Sequence, residues 1–113
     1  MDNRLRRQSG LTRKRDFERV LFRGRRLKRG PVGLYFAPNP EGNKRAAFIA
    51  TGRFRTAVAR NRVRRRLREI FRTNQQCFPA GFDFILRGEP PVAELEFSAL
   101  KDEILRLTQE VSP

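Results

Sequence analysis

The stretch "TAVARNRVRRRLREIFRTN", residues 56–74, is the part of the chain around which the rest can be organised. Six of the nine positions from 60 to 68 are arginine, and Glu69 is the only acid between Lys44 and Arg72. At about 100° per residue, Ala59, Val63, Leu67, Ile70 and Phe71 fall on one side, which predicts an amphipathic helix from near Thr56 to near Asn74. Asn61, Arg64, Arg65, Arg68 and Arg72 fall on the far side, Arg62 and Arg66 flank the stripe, and Arg60 comes close to it. The apolar stripe holds such a helix on a sheet and leaves the guanidinium groups facing outward.

A charged helix face usually interleaves acids and bases at i, i+4, and this one does not. Like charges at that spacing repel, and arginines in the N-terminal half of a helix oppose its macrodipole at a few tenths of a kcal/mol each. A fold that accepts those costs recovers them in a complex. Arginine rather than lysine points to phosphate, which the planar guanidinium grips with two hydrogen bonds, and to bases, on which it stacks.

The whole chain carries the same signature. Its 113 residues make one domain with a single modest core, and the formal net charge is +14. The charge is localised, at +9 over residues 1–30 and +10 over residues 44–68 against −4 over residues 69–113. Localisation favours a polyanion-binding face over general solubilisation. Residues 1–10, polar and basic, read as a mobile arm.

Upstream of the arginine helix, "LTRKRDFERVLFRG" reads as a short helix with Thr12 as N-cap, Phe17, Val20 and Leu21 at i, i+3, i+4, and Gly24 as the stop. Extended stretches follow around Arg25 to Lys28 and Val32 to Ala37, then a turn through Pro38 to Asn43, then a third strand in "RAAFIATG". Downstream, "CFPAG" breaks the helix, "FDFILRG" reads as a fourth strand, and "EPPVAE" as a loop. The last segment is an amphipathic helix with Leu100, Ile104, Leu107 and Val111 inward and Asp102, Glu103 and Glu110 outward. The order α-β-β-β-α-β-α predicts an α+β fold in which helices cover one face of a small mixed four-stranded sheet. Phe48, Ile49, Phe82, Phe84 and Ile85 read as core.

Several classes of chemistry are disfavoured. There is no histidine, and Cys77 is the only cysteine, so neither the usual zinc ligand sets nor a histidine-activated nucleophile can be built. No catalytic residue and no metal site is expected on this chain. No stretch of about 18 apolar residues exists, and the basic N-terminus lacks the apolar core of a secretory signal, so a cytoplasmic location is expected. Charge and patterning alone fit a ribosomal or other structural RNA-binding protein as well as an RNA-processing subunit, and a DNA-binding architectural protein less well.

"RNRVRRRLREIFR" resembles the signature helix of the bacterial ribonuclease P protein component. "LTRKRDFERVLFRG" is similar to that family's first helix, "VGLYFAPN" to its second strand, "RAAFIATGRF" to the strand and loop before the signature, and "PAGFDFILRG" to its last strand. Two departures stand out. Thr51, Gly52, Arg53, Phe54 and Arg55 replace the family's Ser-Lys-Lys, apolar residue and Gly, and Leu21, followed by Phe22, stands where the first helix usually carries a second aromatic.

The resemblance implies a non-catalytic subunit of a ribonucleoprotein endonuclease. In that family an RNA subunit, dependent on Mg²⁺, removes the 5′ leader of precursor tRNA, and no tightly bound metal is expected on the protein. It implies that Arg60, Asn61, Arg62, Arg64, Arg65, Arg66 and Arg68, with Arg53 in the preceding loop, contact the catalytic RNA. It places a leader-binding cleft at Phe17, Leu21 and Tyr35, where Tyr35 offers its ring to unpaired bases. It also implies a left-handed crossover between the third and fourth strands, against the usual right-handed rule. The partners implied are the catalytic RNA and the leader, with no membrane and no protein partner.

Overall fold

The computed structural model describes residues 10–112. The elements are α1 (Lys14–Arg23), β1 (Arg25–Arg29), β2 (Val32–Pro38), β3 (Arg45–Ala50), α2 (Ala57–Thr73), β4 (Phe82–Gly88) and α3 (Phe97–Thr108), in the expected order. Short 3₁₀ turns at Gln75–Cys77 and Pro90–Ala93 flank β4, the second within the segment read as a loop. The sheet order is β1-β2-β4-β3. β1 and β4 run antiparallel to β2, while β3 and β4 are parallel neighbours joined through α2.

Helices cover both faces of the sheet rather than one. The reason lies in β2, which puts Leu34 and Phe36 on one face and Tyr35 and Ala37 on the other, and in Ile85 of β4, so that both faces carry apolar groups that need a cover. On the broad face, Leu34, Phe36, Phe84 and Leu86 meet Val63, Leu67, Ile70 and Phe71 of α2 and Leu100, Ile104 and Leu107 of α3. On the narrow face, Tyr35, Ala37 and Ile85 meet Leu11 and Val20. Phe48 and Ile49, read from sequence as core, are half-buried, Phe48 against the broad-face cluster and Ile49 at the rim of the second, whereas Phe82, Phe84 and Ile85 are buried as expected.

Two ends differ from their sequence reading for local reasons. The Leu11 amide donates to the Ala46 carbonyl at 3.0 Å and Gly10 bridges Ala46, so the chain is held extended beside β3 through Thr12. Helix α1 therefore starts one residue later than expected, with Arg13 rather than Thr12 at its N-cap and no side-chain cap bond. Of the segment read as a mobile arm, residues 1–9 lie outside the described residues, and Gly10 is paired. Gly24 does end α1, but with φ −75° rather than in a left-handed turn. A Cβ there would lie 2.4 Å from the Val20 carbonyl oxygen and 2.7 Å from that of Phe36, so the glycine answers close backbone approach. Gly88 serves a similar purpose for α2, since a Cβ would meet Val63 Cγ1 at 2.7 Å.

Candidate nucleic-acid interface

Helix α2 is the rigid body of the interface. Thr56 caps it, its Oγ1 accepting from the Ala59 amide at 3.0 Å, and Val63, Leu67, Ile70 and Phe71 are fully buried. With that stripe fixed against the sheet, Asn61, Arg62, Arg64, Arg65 and Arg68 are exposed together. Arg62, Arg65 and Arg68 make no hydrogen bond or ion pair with another described residue. Arg64 donates to Asn61 Oδ1 at 3.0 Å, a neutral partner that orients the guanidinium and leaves its charge uncompensated. Glu69, the single acid nearby, is engaged by Arg72, whose Nε donates to Glu69 Oε2 at 3.0 Å. That hydrogen bond holds the Glu69 carboxyl below the ordinary carboxylate range.

Two arginines of the signature are spent inside the fold. Arg60 turns back along the loop before α2, donating to the carbonyls of Ala50 at 3.2 Å and Gly52 at 3.4 Å, with its guanidinium 4.9 Å from the Phe54 ring centre. Arg66 donates to the carbonyls of Val92 and Leu95 and lies 5.7 Å from the centre of the Phe97 ring. Burial, and then the neighbouring charge of Arg62, lower its pKa from the ordinary arginine value. Sequence periodicity places Arg60 near the stripe and Arg66 on its flank, and both positions put a long side chain within reach of an adjoining loop. Arg53 and Arg55 of the loop that Arg60 holds are exposed and make no hydrogen bond or ion pair with another described residue.

The second region lies on the narrow face beside α1. Phe17 and Leu21 are half-buried at the rim of the small cluster, as are Ala47 and Ile49 of β3. Tyr35 belongs to the same site but not in the expected way. Its residue is only 7% exposed, so the ring is not an open stacking platform. The Arg26 guanidinium lies 5.9 Å from the ring centre, and Arg87 Nη1 donates to the hydroxyl at 3.4 Å. The half-exposed apolar surface belongs instead to Phe17, Leu21 and Ile49.

One end of this face is closed by a charge cluster that sequence patterning does not assemble. Asp83 is fully buried, and Arg45 grips it with two bonds of 2.8 Å, Nε to Oδ1 and Nη2 to Oδ2. Arg19 of α1 donates to the same carboxylate, and Asn39 Nδ2 reaches Oδ1 at 3.0 Å. The hydrogen bond to Asp83 raises the Arg45 pKa above its ordinary value. The cluster ties α1, β3 and β4 together where the apolar cluster is thin. Arg87, also missed, does leave a signal in the sequence. It interrupts an apolar strand, and period-two counting from Asp83 and Ile85 puts all three on one face.

Comparison with known proteins gives this arrangement a family. The family model for ribonuclease P matches residues 5–112. The chain belongs to the ribonuclease P protein family. The ribonuclease P protein component of Pelotomaculum thermopropionicum is 35% identical over 97 residues, covering 86% of this chain and 87% of that protein. That of Chloroflexus aggregans is 37% identical over 108 residues, covering 94% and 79%. Among solved structures, the ribonuclease P protein of Thermotoga maritima superposes with a TM-score of 0.78 at 25% identity, covering 97% of this chain and 98% of that one. Among the described residues, no helix is long and apolar enough to cross a membrane, and no three His, Cys, Asp or Glu side chains gather as a metal site would need.

Proposed function

We propose that this member of the family is the protein subunit of a cytoplasmic ribonuclease P, and that it binds the catalytic RNA through the outward face of α2 and the loop before it. The observation that carries the reading is the set of uncompensated guanidinium groups of Arg62, Arg64, Arg65 and Arg68, displayed on a helix whose opposite stripe is fully buried. Asn61 orients Arg64, Arg53 and Arg55 extend the face, and Arg60 and Arg66 hold the flanking loops in place. The half-exposed apolar rim of Phe17, Leu21 and Ile49, beside Tyr35, takes the 5′ leader of precursor tRNA. Hydrolysis is performed by the RNA subunit with its Mg²⁺, and the protein lowers the Mg²⁺ requirement by supplying cationic screening. The leader contact adds binding energy that mature product, lacking a leader, cannot share.

Reconstitution tests this. With a bacterial ribonuclease P RNA at low Mg²⁺, the chain restores accurate 5′ cleavage, and without the RNA it cuts nothing. Replacing Arg64, Arg65 and Arg68 by alanine lowers the log-log salt slope of RNA binding by roughly 0.7 to 0.9 per lost phosphate contact, with folding unchanged. Cleavage by the protein alone, no stimulation across a Mg²⁺ titration, or an unchanged slope in the triple variant would overturn the proposal.

A further inference from the structure

β4 places two charged residues on the narrow face, and the fold treats them differently. Asp83 is neutralised by Arg45 and Arg19. Arg87, two positions further along the same face, is answered only by hydroxyls: its Nε donates to Thr51 Oγ1 at 2.9 Å and its Nη1 to the Tyr35 hydroxyl at 3.4 Å. A half-buried guanidinium without a counter-ion is costly, because neutral acceptors satisfy its hydrogens and not its charge. Strand register brings further cations to it. Lys28 pairs with Gly33 and Gly33 with Arg87, so the three lie side by side across β1, β2 and β4, while Arg26 stands opposite Tyr35 in the next row. Gly33 has no side chain to fill the floor between them. A hollow of about 150 Å³ results, lined by these five residues together with Leu27 and Glu89.

We infer that this hollow binds one phosphodiester of the single-stranded leader, at the point where the strand leaves the Phe17–Leu21 rim and crosses toward β1. The inference rests on the leader reading given above. Arg26 and Arg87 flank the hollow with no described acid partner, whereas Lys28 is paired with Glu89 at 3.2 Å. The lining therefore carries a net positive charge with one carboxylate at its edge. That combination suits a monoanionic phosphodiester better than a free phosphate, whose second charge the carboxylate would repel. Tyr35 joins the two parts of the path, since the ring under Arg26 also belongs to the apolar cluster against α1.

The test uses the holoenzyme and precursor tRNAs that carry a single neutral methylphosphonate at successive leader positions. With the wild-type protein, neutralising one leader phosphate weakens binding about tenfold, the scale of one lost charge-assisted contact, and its neighbours matter less. In Arg87→Met, which keeps the apolar stem, that position becomes silent while the others keep their wild-type effects. Arg26→Ala, at an exposed position, reduces the same positional effect and guards against an Arg87 variant that folds poorly. Wild-type profiles in both variants, or an equal loss at every position, would overturn the site while leaving the leader reading intact. Wild-type binding indifferent to the presence of a leader would remove both. Inorganic phosphate should compete equally with wild type and Arg87→Met, and stronger competition with wild type would assign the hollow to free phosphate instead.

Discussion

The two faces of one sheet are built on different principles. The broad face buries a continuous apolar cluster in which Phe48, Phe71, Phe78 and Phe84 touch in sequence, with ring centres 5.8, 4.9 and 5.3 Å apart. The narrow face has a small apolar cluster and relies on a buried carboxylate shared by two arginines to fix α1. Apolar burial is non-directional and strong in sum, and the edge-to-face rings add to it, so the broad face can carry a helix whose outward charges repel one another. A charge cluster fixes position more than it stabilises, and it leaves apolar side chains at its margin half-exposed. The face that holds the fold together and the face with a half-exposed apolar rim are therefore separate, and α2 is anchored by one without narrowing the other.

The largest effect comes from breaking the broad face. Phe71→Ala removes a ring in contact with both Phe48 and Phe78 and should cost about 4 kcal/mol in urea unfolding. A cost below about 1 kcal/mol would mean that the cluster repacks freely and that α2 is held by something else.

Asp83→Asn tests the narrow face and should cost about 3 kcal/mol, because Arg45 and Arg19 keep their charges and lose their buried partner, with only the longer contacts of Asp16 to both and of Glu41 to Arg45 left to answer them. The comparison sharpens in the triple variant that also carries Arg45→Met and Arg19→Met, which should recover much of the loss. Equal instability in the single and triple variants would show that the carboxylate acts by packing rather than by charge.

Neighbouring arginines of α2 separate the same way, on a smaller scale. Arg66→Ala should cost about 2 kcal/mol of stability, since two backbone carbonyls lose a charged donor. Arg65→Ala should leave stability within about 0.5 kcal/mol of wild type and weaken RNA binding instead. Thermal unfolding and RNA titration of both variants decide the matter, and a reversal of the two outcomes would refute the division between outward and inward arginines.

These contrasts also mark what can be read from sequence and what cannot. The bounds of α2 were legible because a cap residue, an apolar stripe and an apolar-to-polar boundary agree, and Thr56, Val63 and Asn74 fall where that agreement puts them. The strands β2, β3 and β4 follow from short apolar runs bounded by turn residues, and the basic β1 from its place before the Gly30–Pro31 turn into β2. The side of the sheet taken by α1 is not a local property, since Phe17, Val20 and Leu21 would suit either face. It follows from the apolar groups that β2 places on both faces, joined by Ile85 of β4 on the narrow one, which require both faces to be covered. The use of Arg60 and Arg66 inside the fold escapes any helical projection because it depends on where loops from other strands pass. The burial of Tyr35 is not legible in the sequence, for strand parity gives a side chain's face and not what packs over it.

The smallest expected effect is a pH dependence at the start of α3, on the broad face. Glu96 caps the helix, its Oε1 accepting from the Ser98 amide at 3.2 Å and from the Ser98 hydroxyl at 2.7 Å. The Ser98 hydroxyl, and then the Ser98 amide, hold the Glu96 carboxyl below the ordinary carboxylate value. A carboxyl depressed in the folded state binds protons more weakly there than in the unfolded chain, so its contribution is complete above the ordinary value and fades as pH falls through the folded one. Glu96→Gln should therefore be less stable than wild type near neutral pH, and the gap should close between about pH 5 and pH 3. Glu69, depressed by Arg72, has the same sign but is present in both proteins and cancels from the difference. A gap that persists unchanged at low pH would show that the uncharged side chain caps as well as the charged one, and that α3 is held to the broad face by Leu100, Ile104 and Leu107 without help from its charge.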